Sequence, residues 1–247
     1  MRARILSDLH FEFHADHGIS FLNSIEKLNQ DVVIIAGDIS DSYLLGESIY
    51  KVCKHWQVPI IYVAGNHDFY GSTVFRTWDE LRQLEKEISN FKFLENDIVR
   101  INEKRILGTT LWFDHSGVPE IYDNMMTDFC AINGLYSYIK KLGTFSIDFL
   151  RQEIKPDDVI ITHHMPHRVC VLPKYTNSPL NKYFVHYGAK KVIENTPAIW
   201  IHGHTHAFID QKFDFMNDGD ESRIICNAFG YVGEKNTGFK SNFICEL

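Results

Sequence analysis

Cysteine is scarce in this chain and poorly arranged for cross-linking. The five cysteines among 247 residues are an odd number, scattered from Cys53 to Cys245 with no C-x-x-C pair. A disulfide framework and a zinc finger are therefore excluded, and the thiols are expected as small core residues in a reducing compartment. No apolar run is long enough to cross a bilayer, and residues 1–8 turn polar too soon for a secretory signal. A cytoplasmic protein is expected, with no membrane partner. Positive charge is also short: 25 Lys and Arg face 32 Asp and Glu, for a formal net charge of -7. Without a Lys/Arg block there is little to grip a phosphate backbone, so strong nucleic-acid binding is not expected, although a short phosphodiester remains compatible. Repeats, linkers and low-complexity segments are missing as well. With 45% hydrophobic and 23% charged residues, residues 1–247 suit one domain with a self-sufficient core.

Histidine is abundant. There are thirteen, and several sit directly after short apolar runs. Those runs define the expected elements. Residues 4–7, 31–36 and 59–64 are strands, the second built on Val-Val-Ile-Ile. Residues 18–29, 43–54 and 73–88 have helical spacing or composition. This alternation implies a parallel sheet covered by helices. Residues 91–94, 98–101 and 105–111 follow so closely that antiparallel or mixed pairing is expected. Residues 112–142 are aromatic and irregular, with short helical stretches, and suit a loop or lid over a site. A helix over 144–154, capped by Thr144 or Ser146, leads to a strand at 158–162, a helix at 187–194 and a strand at 198–201. Residues 208–215, 223–227 and 239–245 are expected as antiparallel strands.

Five polar clusters each follow an expected strand: Asp8-Leu9-His10, Gly37-Asp38-Ile39-Ser40-Asp41, Gly65-Asn66-His67-Asp68, Thr162-His163-His164 and Gly203-His204-Thr205-His206. In open α/β sheets the carboxyl ends of strands share one edge, where ligands bind. Each cluster alone is ordinary. D-x-H is common, "GD" is usually a turn, and only "GHTH" is moderately specific, because alternate residues of an extended segment share a face. Together they bring two Asp, one Asn and four or more His to one place. Burying that set requires a partner for its charge, and a divalent ion supplies one. Mixed oxygen and nitrogen ligands suit Mn, Fe, Zn, Co or Ni better than Ca or Mg. Seven ligands exceed the needs of one such ion and suit two that share a carboxylate.

D-x-H, G-D-x-x-D, G-N-H-D, a strand-terminal His and G-H-x-H, in that order over residues 8 to 206, resemble the calcineurin-like metallophosphoesterases. The resemblance implies a four-layer α/β/β/α sandwich of two mixed sheets flanked by helices. It also implies a two-metal site, with Mn2+ first among the candidate ions, and hydrolysis of small phosphate esters. By motif, Asp8, His10 and His206 would hold one ion, and Asn66, His163 and His204 the other, with Asp38 bridging. His67 would be the catalytic, non-ligand histidine and Asp41 the carboxylate that orients it. His163 is preferred over His164 as the ligand, and His164 is expected either to support the ligands from behind or to face the substrate. His202 is expected to be structural, and His167 to line the cleft. His14, His17, His55, His115 and His186 are expected at the surface. "TLWFD" at 110–114 and "NAFGY" at 227–231 also resemble segments of small bacterial and phage members. Where the second often carries an Arg, this chain has Phe229.

The implied mechanism is in-line attack on phosphorus by a bridging water activated by both ions, with His67 assisting the leaving oxygen. No C-x5-R or P-loop sequence suggests a phosphoenzyme. Two alternatives stay open at this stage, a nuclease acting on short nucleic acid and a non-catalytic metal-binding scaffold of the same fold. A Ser/Thr protein phosphatase is disfavoured because "GDISD" lacks the Arg-Gly that follows in that group.

Overall fold

The computed structural model describes residues 1–196 and 198–247. Among the described residues eleven strands pair into two sheets: β1 (Arg2–Leu6), β2 (Val32–Ala36), β3 (Ile60–Val63), β4 (Phe91–Phe93), β5 (Asp97–Ile101), β6 (Lys104–Thr109), β7 (Val159–Thr162), β8 (Ile199–Ile201), β9 (Phe208–Phe213), β10 (Ser222–Asn227) and β11 (Ile244–Glu246). The first sheet has the order β11-β1-β2-β3-β4 and the second β5-β6-β7-β8-β10-β9. Pairing is parallel from β1 to β4, with β11 antiparallel at the edge. In the second sheet the pairs from β6 through β10 are parallel, and the outer strands β5 and β9 are antiparallel. The helices are α1 (Ile19–Ser24), α2 (Leu45–His55), α3 (Val74–Glu87), α4 (Glu120–Asp123), α5 (Asp128–Ala131), α6 (Leu135–Glu153), α7 (Asn181–Phe184) and α8 (Lys190–Asn195).

The central strands lack a polar face because both of their faces are covered. In β2, Val33 and Ile35 turn outward to Leu45, Ile49 and Val52 of α2, and to Leu81 of α3. Val32 and Ile34 turn inward and meet Ile106, Val159, Ile161, Ile201 and Ile225 of the other sheet. Beyond that sheet, Leu107, Ile160, Trp200 and Ile224 pack on Ile147 and Leu150 of α6 and Val192 and Ile193 of α8. Helix, sheet, sheet and helix thus form four layers, as the motifs imply. Each fully buried Val or Ile contributes roughly 1.5–3 kcal/mol of transfer free energy. Among the described residues no helix is long and apolar enough to cross a membrane.

Several elements differ from expectation. β4 pairs parallel with β3 and completes the first sheet, so only β5 and β6 form the expected hairpin. The expected helix over 18–29 stops at Ser24. Ile25 is extended, and the Glu26 carbonyl accepts from the buried Arg4 guanidinium at 2.7 Å. Neither Thr144 nor Ser146 caps a helix, because α6 begins well before them, directly after Gly134. Thr144 instead bonds back to the Lys140 carbonyl, and Ser146 is buried against Thr109. β11 pairs with β1 rather than with its sequence neighbour β10. Cys130 is exposed, while the other four cysteines are buried free thiols as expected. His186 is buried, bonding the Gly143 carbonyl at 3.1 Å, rather than lying at the surface.

The ends of β2 and β3 touch through glycine. A Cβ on Gly65 would overlap Asp38 Oδ1 and lie 2.6 Å from Asp38 N, and Gly37 has φ +86. The close approach leaves no room for a methyl group. Gly65→Ala should therefore destabilise the fold by roughly 1–3 kcal/mol, read from urea unfolding. A variant as stable as the parent would contradict this packing.

Candidate metal centre

The strand-end loops are bonded to one another. After β1, Asp8 N donates to Gly37 O at 3.0 Å, Leu9 N to Asp38 O at 2.8 Å and Phe11 N to Ile39 O at 2.9 Å. After β8, Gly203 N donates to His163 O at 3.1 Å, and His204 N reaches both carboxylate oxygens of Asp8 at 3.0 and 3.1 Å. Asp68 organises the rest. Its buried carboxylate accepts from Asp38 N at 3.0 Å, Ile39 N at 3.1 Å, Gly65 N at 2.7 Å and Tyr62 Oη at 2.5 Å. Asp8, His10, Asp38, His204 and His206 all have positive φ, between 44° and 66°. This region is uncommon for residues other than glycine, and such strain persists where surrounding contacts over-determine the backbone.

These loops gather the expected residues. Asp38 Oδ2 lies 3.3 Å from His163 Nε2 and 3.8 Å from His10 Nε2. On one side His10 Nε2 faces His206 Nε2 at 3.2 Å, and His206 Nε2 is 3.4 Å from Asp8. On the other, His163 Nε2 lies 2.9 Å from Asn66 Oδ1 and 3.2 Å from His204 Nδ1. Three of the rings are held from behind. His10 Nδ1 meets Glu12 at 3.2 Å, His206 Nδ1 meets Glu234 at 2.7 Å, and His163 Nδ1 bonds the Ala36 carbonyl at 2.9 Å. Such outer partners fix which ring nitrogen faces inward.

The donor set fits divalent ions. Two pairs of ring nitrogens face each other, each across 3.2 Å, and each pair can share only one proton or accept a cation. His204 Nε2 is buried without a hydrogen-bond partner among the described residues. Asp8, His10 and His206 converge closely enough to hold one ion, as do Asp38, His163 and His204. His10, Glu12 and His67 also converge, but in that group Glu12 bonds the Nδ1 atoms of both rings. Burial opposes the charge on Asp38, but the surrounding imidazoles, His163 foremost, hold its carboxyl well below the usual range. Burial first, and then the neighbouring His164 and His163 rings, hold His204 well below the usual histidine range, so its ring is neutral.

His67 lies on the cleft floor and stacks on Tyr70 at 4.2 Å. Its Nδ1 is 2.9 Å from Glu12, and its Nε2 is 3.2 Å from the Tyr231 hydroxyl. Burial opposes its charge, yet Asp38 and Glu12 hold the imidazole above its ordinary pKa. Glu12, not Asp41, is therefore the carboxylate on His67. Asp41 accepts from Leu44 N at 3.2 Å in its own turn. His164 takes the first of its two expected places, behind the His163 and His204 rings, and not the substrate-facing one. It is fully buried behind the centre against Trp112 and Phe113, its Nδ1 near the Thr110 carbonyl, and burial first and then His163 lower its pKa to about 3. It does not line the cleft, and neither does His167, which caps the turn Arg168–Cys170. His202 is buried, with Nδ1 at 2.8 Å from the Gly203 carbonyl, as a structural residue would be.

Glu12, Tyr231 and Glu234 were not expected at the site. D-L-H-F-E carries a signal for Glu12, two residues beyond His10. Tyr231 and Glu234 follow "NAFG" in a loop with no periodicity to mark it. Phe229 in that loop packs on Phe21, Phe239 and His14, so it serves the core. The cleft above the centre has a volume of about 430 Å³. Its walls come from Met125–Asp128, from the segment between β7 and α7, and from Tyr231 and Glu234.

Two facing mixed sheets with a buried Asp/Asn/His centre at their carboxyl edge form the frame of a metallohydrolase. Residues 1–208 match the model of the calcineurin-like phosphoesterases, and the chain belongs to that family. It is 28% identical over 272 residues to uncharacterized protein L509 of Acanthamoeba polyphaga mimivirus, covering 94% of this chain and 92% of that one. Among solved structures, its fold is similar to phosphopantetheinyl hydrolase (PptH) from Mycobacterium tuberculosis, with TM-score 0.73, 17% identity and coverage of 93% and 89%. TT1561 of Thermus thermophilus is also similar, with TM-score 0.59, 12% identity and coverage of 94% and 90%.

The metal-free centre should show its charges in its pH dependence. Burial opposes protonation of His163 and His206, but Asp38 raises the first and Asp8 the second, each to about 9. A raised folded-state pKa gives stability that is fully present below the unfolded value near 6.5 and is lost as pH rises through about 9. In EDTA the Tm should therefore fall between pH 7 and 9. Binding of Mn2+ at pH 7.5 should release about two protons, counted by calorimetry in buffers of different ionisation enthalpy. A flat Tm and no proton release would contradict the pairing.

Proposed function

We propose that this chain hydrolyses small phosphomonoesters or phosphodiesters with two divalent ions, Mn2+ first among Fe, Zn, Co and Ni. The observation that carries the reading is the position of Asp38, whose Oδ2 lies between His163 at 3.3 Å and His10 at 3.8 Å. An oxygen in that position can serve two ions at once. Asp8, His10 and His206 would hold one ion, and Asn66, His163 and His204 the other. When bound, the pair supplies Lewis-acid polarisation of a phosphoryl oxygen and of water.

The remaining chemistry belongs to the chain. His67 turns Nε2 toward the cleft while Glu12 holds Nδ1, so a proton on Nε2 is aimed at the leaving oxygen. Against its burial, Asp38 and Glu12 favour the charged form of that imidazole, the direction that suits a general acid. As the P–O bond breaks, the electron pair leaves with the ester oxygen and His67 Nε2 gives up its proton to it. The leaving group then faces a wall of Met125, Met126, Leu172, Tyr175 and Phe184, a setting for a small organic molecule. Five free cysteines suit a reducing compartment, and we place the protein in the cytoplasm.

The assignment separates metal binding from proton donation. His67→Ala should keep both ions by elemental analysis yet lose about 10²–10⁴ in kcat on a phosphodiester with an alkyl alcohol as leaving group. It should lose much less on an ester whose leaving group needs no proton. EDTA-treated parent should lose activity on mono- and diesters alike and recover it with Mn2+. Loss of metal from His67→Ala, or full activity after demetallation, would overturn the reading.

A further inference from the structure

We infer that Asp128, on the short helix α5 in the segment between β6 and α6, is a positioning residue that holds the Asn66 amide with its oxygen turned toward the metal centre. The inference rests on the reading of Asn66 as a metal ligand. An amide can present either its oxygen or its nitrogen by turning over, and only the oxygen coordinates a hard cation. Here Asn66 Nδ2 donates to Asp128 Oδ1 at 2.9 Å and to the Tyr70 hydroxyl at 3.1 Å. Tyr70 Oη in turn donates to the same Asp128 oxygen at 2.6 Å. The reversed amide would set two acceptor oxygens against each other at 2.9 Å. Asn66 Oδ1 is thereby left facing His163 Nε2 at 2.9 Å.

Among the described residues, the hydrogen-bond partners of this carboxylate are Asn66 and Tyr70 alone. Asp128 is 1% exposed, and its Oδ2 has no hydrogen-bond partner among the described residues. A buried acid with half its capacity unused is a poor stabilising device, and an apolar residue would cost less there. The segment is pinned by backbone bonds on both sides, Gly71 N to Ala131 O and Asn133 N to Ser72 O, each 2.8 Å. Those bonds tie it to the chain just after G-N-H-D, so Asp128 is rigidly placed. Through Tyr70, which stacks on His67, the same carboxylate also steadies the ring of the proposed acid.

The test is Mn2+ titration by calorimetry on the full chain, with folding checked by thermal melting. The parent should bind two ions, and Asn66→Ala should weaken one of them. Asp128→Ala should weaken the same ion by roughly 10–100-fold, the usual effect of removing a carboxylate that holds a ligand. Asp128→Asn keeps an oxygen for Asn66 Nδ2 and should restore most of that loss. The double variant Asn66→Ala/Asp128→Ala should bind no more weakly than Asn66→Ala alone. If Asp128→Ala does not fold, Asp128→Leu carries the same expectation with the volume filled. Unchanged affinities in the Asp128 variants, or additive losses in the double variant, would overturn the inference while leaving the metal centre intact. Unchanged affinities in Asn66→Ala would overturn the ligand assignment itself.

Discussion

A carboxylate with almost no access to water must find compensating charge, or it will be protonated or expelled. Asp38 is in that position. Imidazoles surround its side chain, His67 N donates to its Oδ1 at 2.8 Å, and its φ is +56°. The arrangement exists because the chain around it is fixed. Asp68 ties the loop after β2 to the loop after β3 through backbone N–H groups, and Gly65 lets the two loops approach without a side chain between them. Residues in the left-handed region cost of order 1–3 kcal/mol each when they are not glycine. Several such residues at one sheet edge mean that the sandwich, with its dry inter-sheet core, stabilises a strained constellation.

The outer hydrogen bonds decide what that constellation can do. Glu12, Glu234 and the Ala36 carbonyl each hold one nitrogen of a ring and leave the other inward. His204 has no such partner and is instead kept neutral by burial and by the imidazoles beside it. His67 differs from the ring set because its inner nitrogen is held by Glu12 and its other nitrogen faces the cleft. In the proposed reading, what lies behind each ring would divide ligation from proton donation among chemically identical side chains.

Much of this was legible in the sequence. The runs Val32–Ala36 and Val159–Thr162 marked buried strands, and polar residues directly after them marked the sheet edge. Asp8, His10, Asp38, Asn66, His163, His204 and His206 do come together. The carboxylate on His67 was misread, because the G-D-x-x-D motif points to Asp41, whereas Asp41 closes its own turn and Glu12 reaches His67. His164 could not be separated from the cleft by sequence, since adjacent strand-end residues differ only in which side of the sheet they face. β4 and β11 overlap expected strands, but their partners β3 and β1 escaped because pairing between segments distant in the chain leaves no local trace. The segment holding Asp128 was expected over the site, but Asp128 itself escaped because the helices there are four residues long, below the length at which periodicity can be read.

The central claim is that Asp38 stands between two cations. Anomalous diffraction from crystals soaked in Mn2+ tests it most directly. Two peaks about 3.5–4 Å apart are predicted, one against Asp8, His10 and His206 and the other against Asn66, His163 and His204, with Asp38 Oδ2 touching both. A single peak, or peaks that leave Asp38 out of contact, would contradict it.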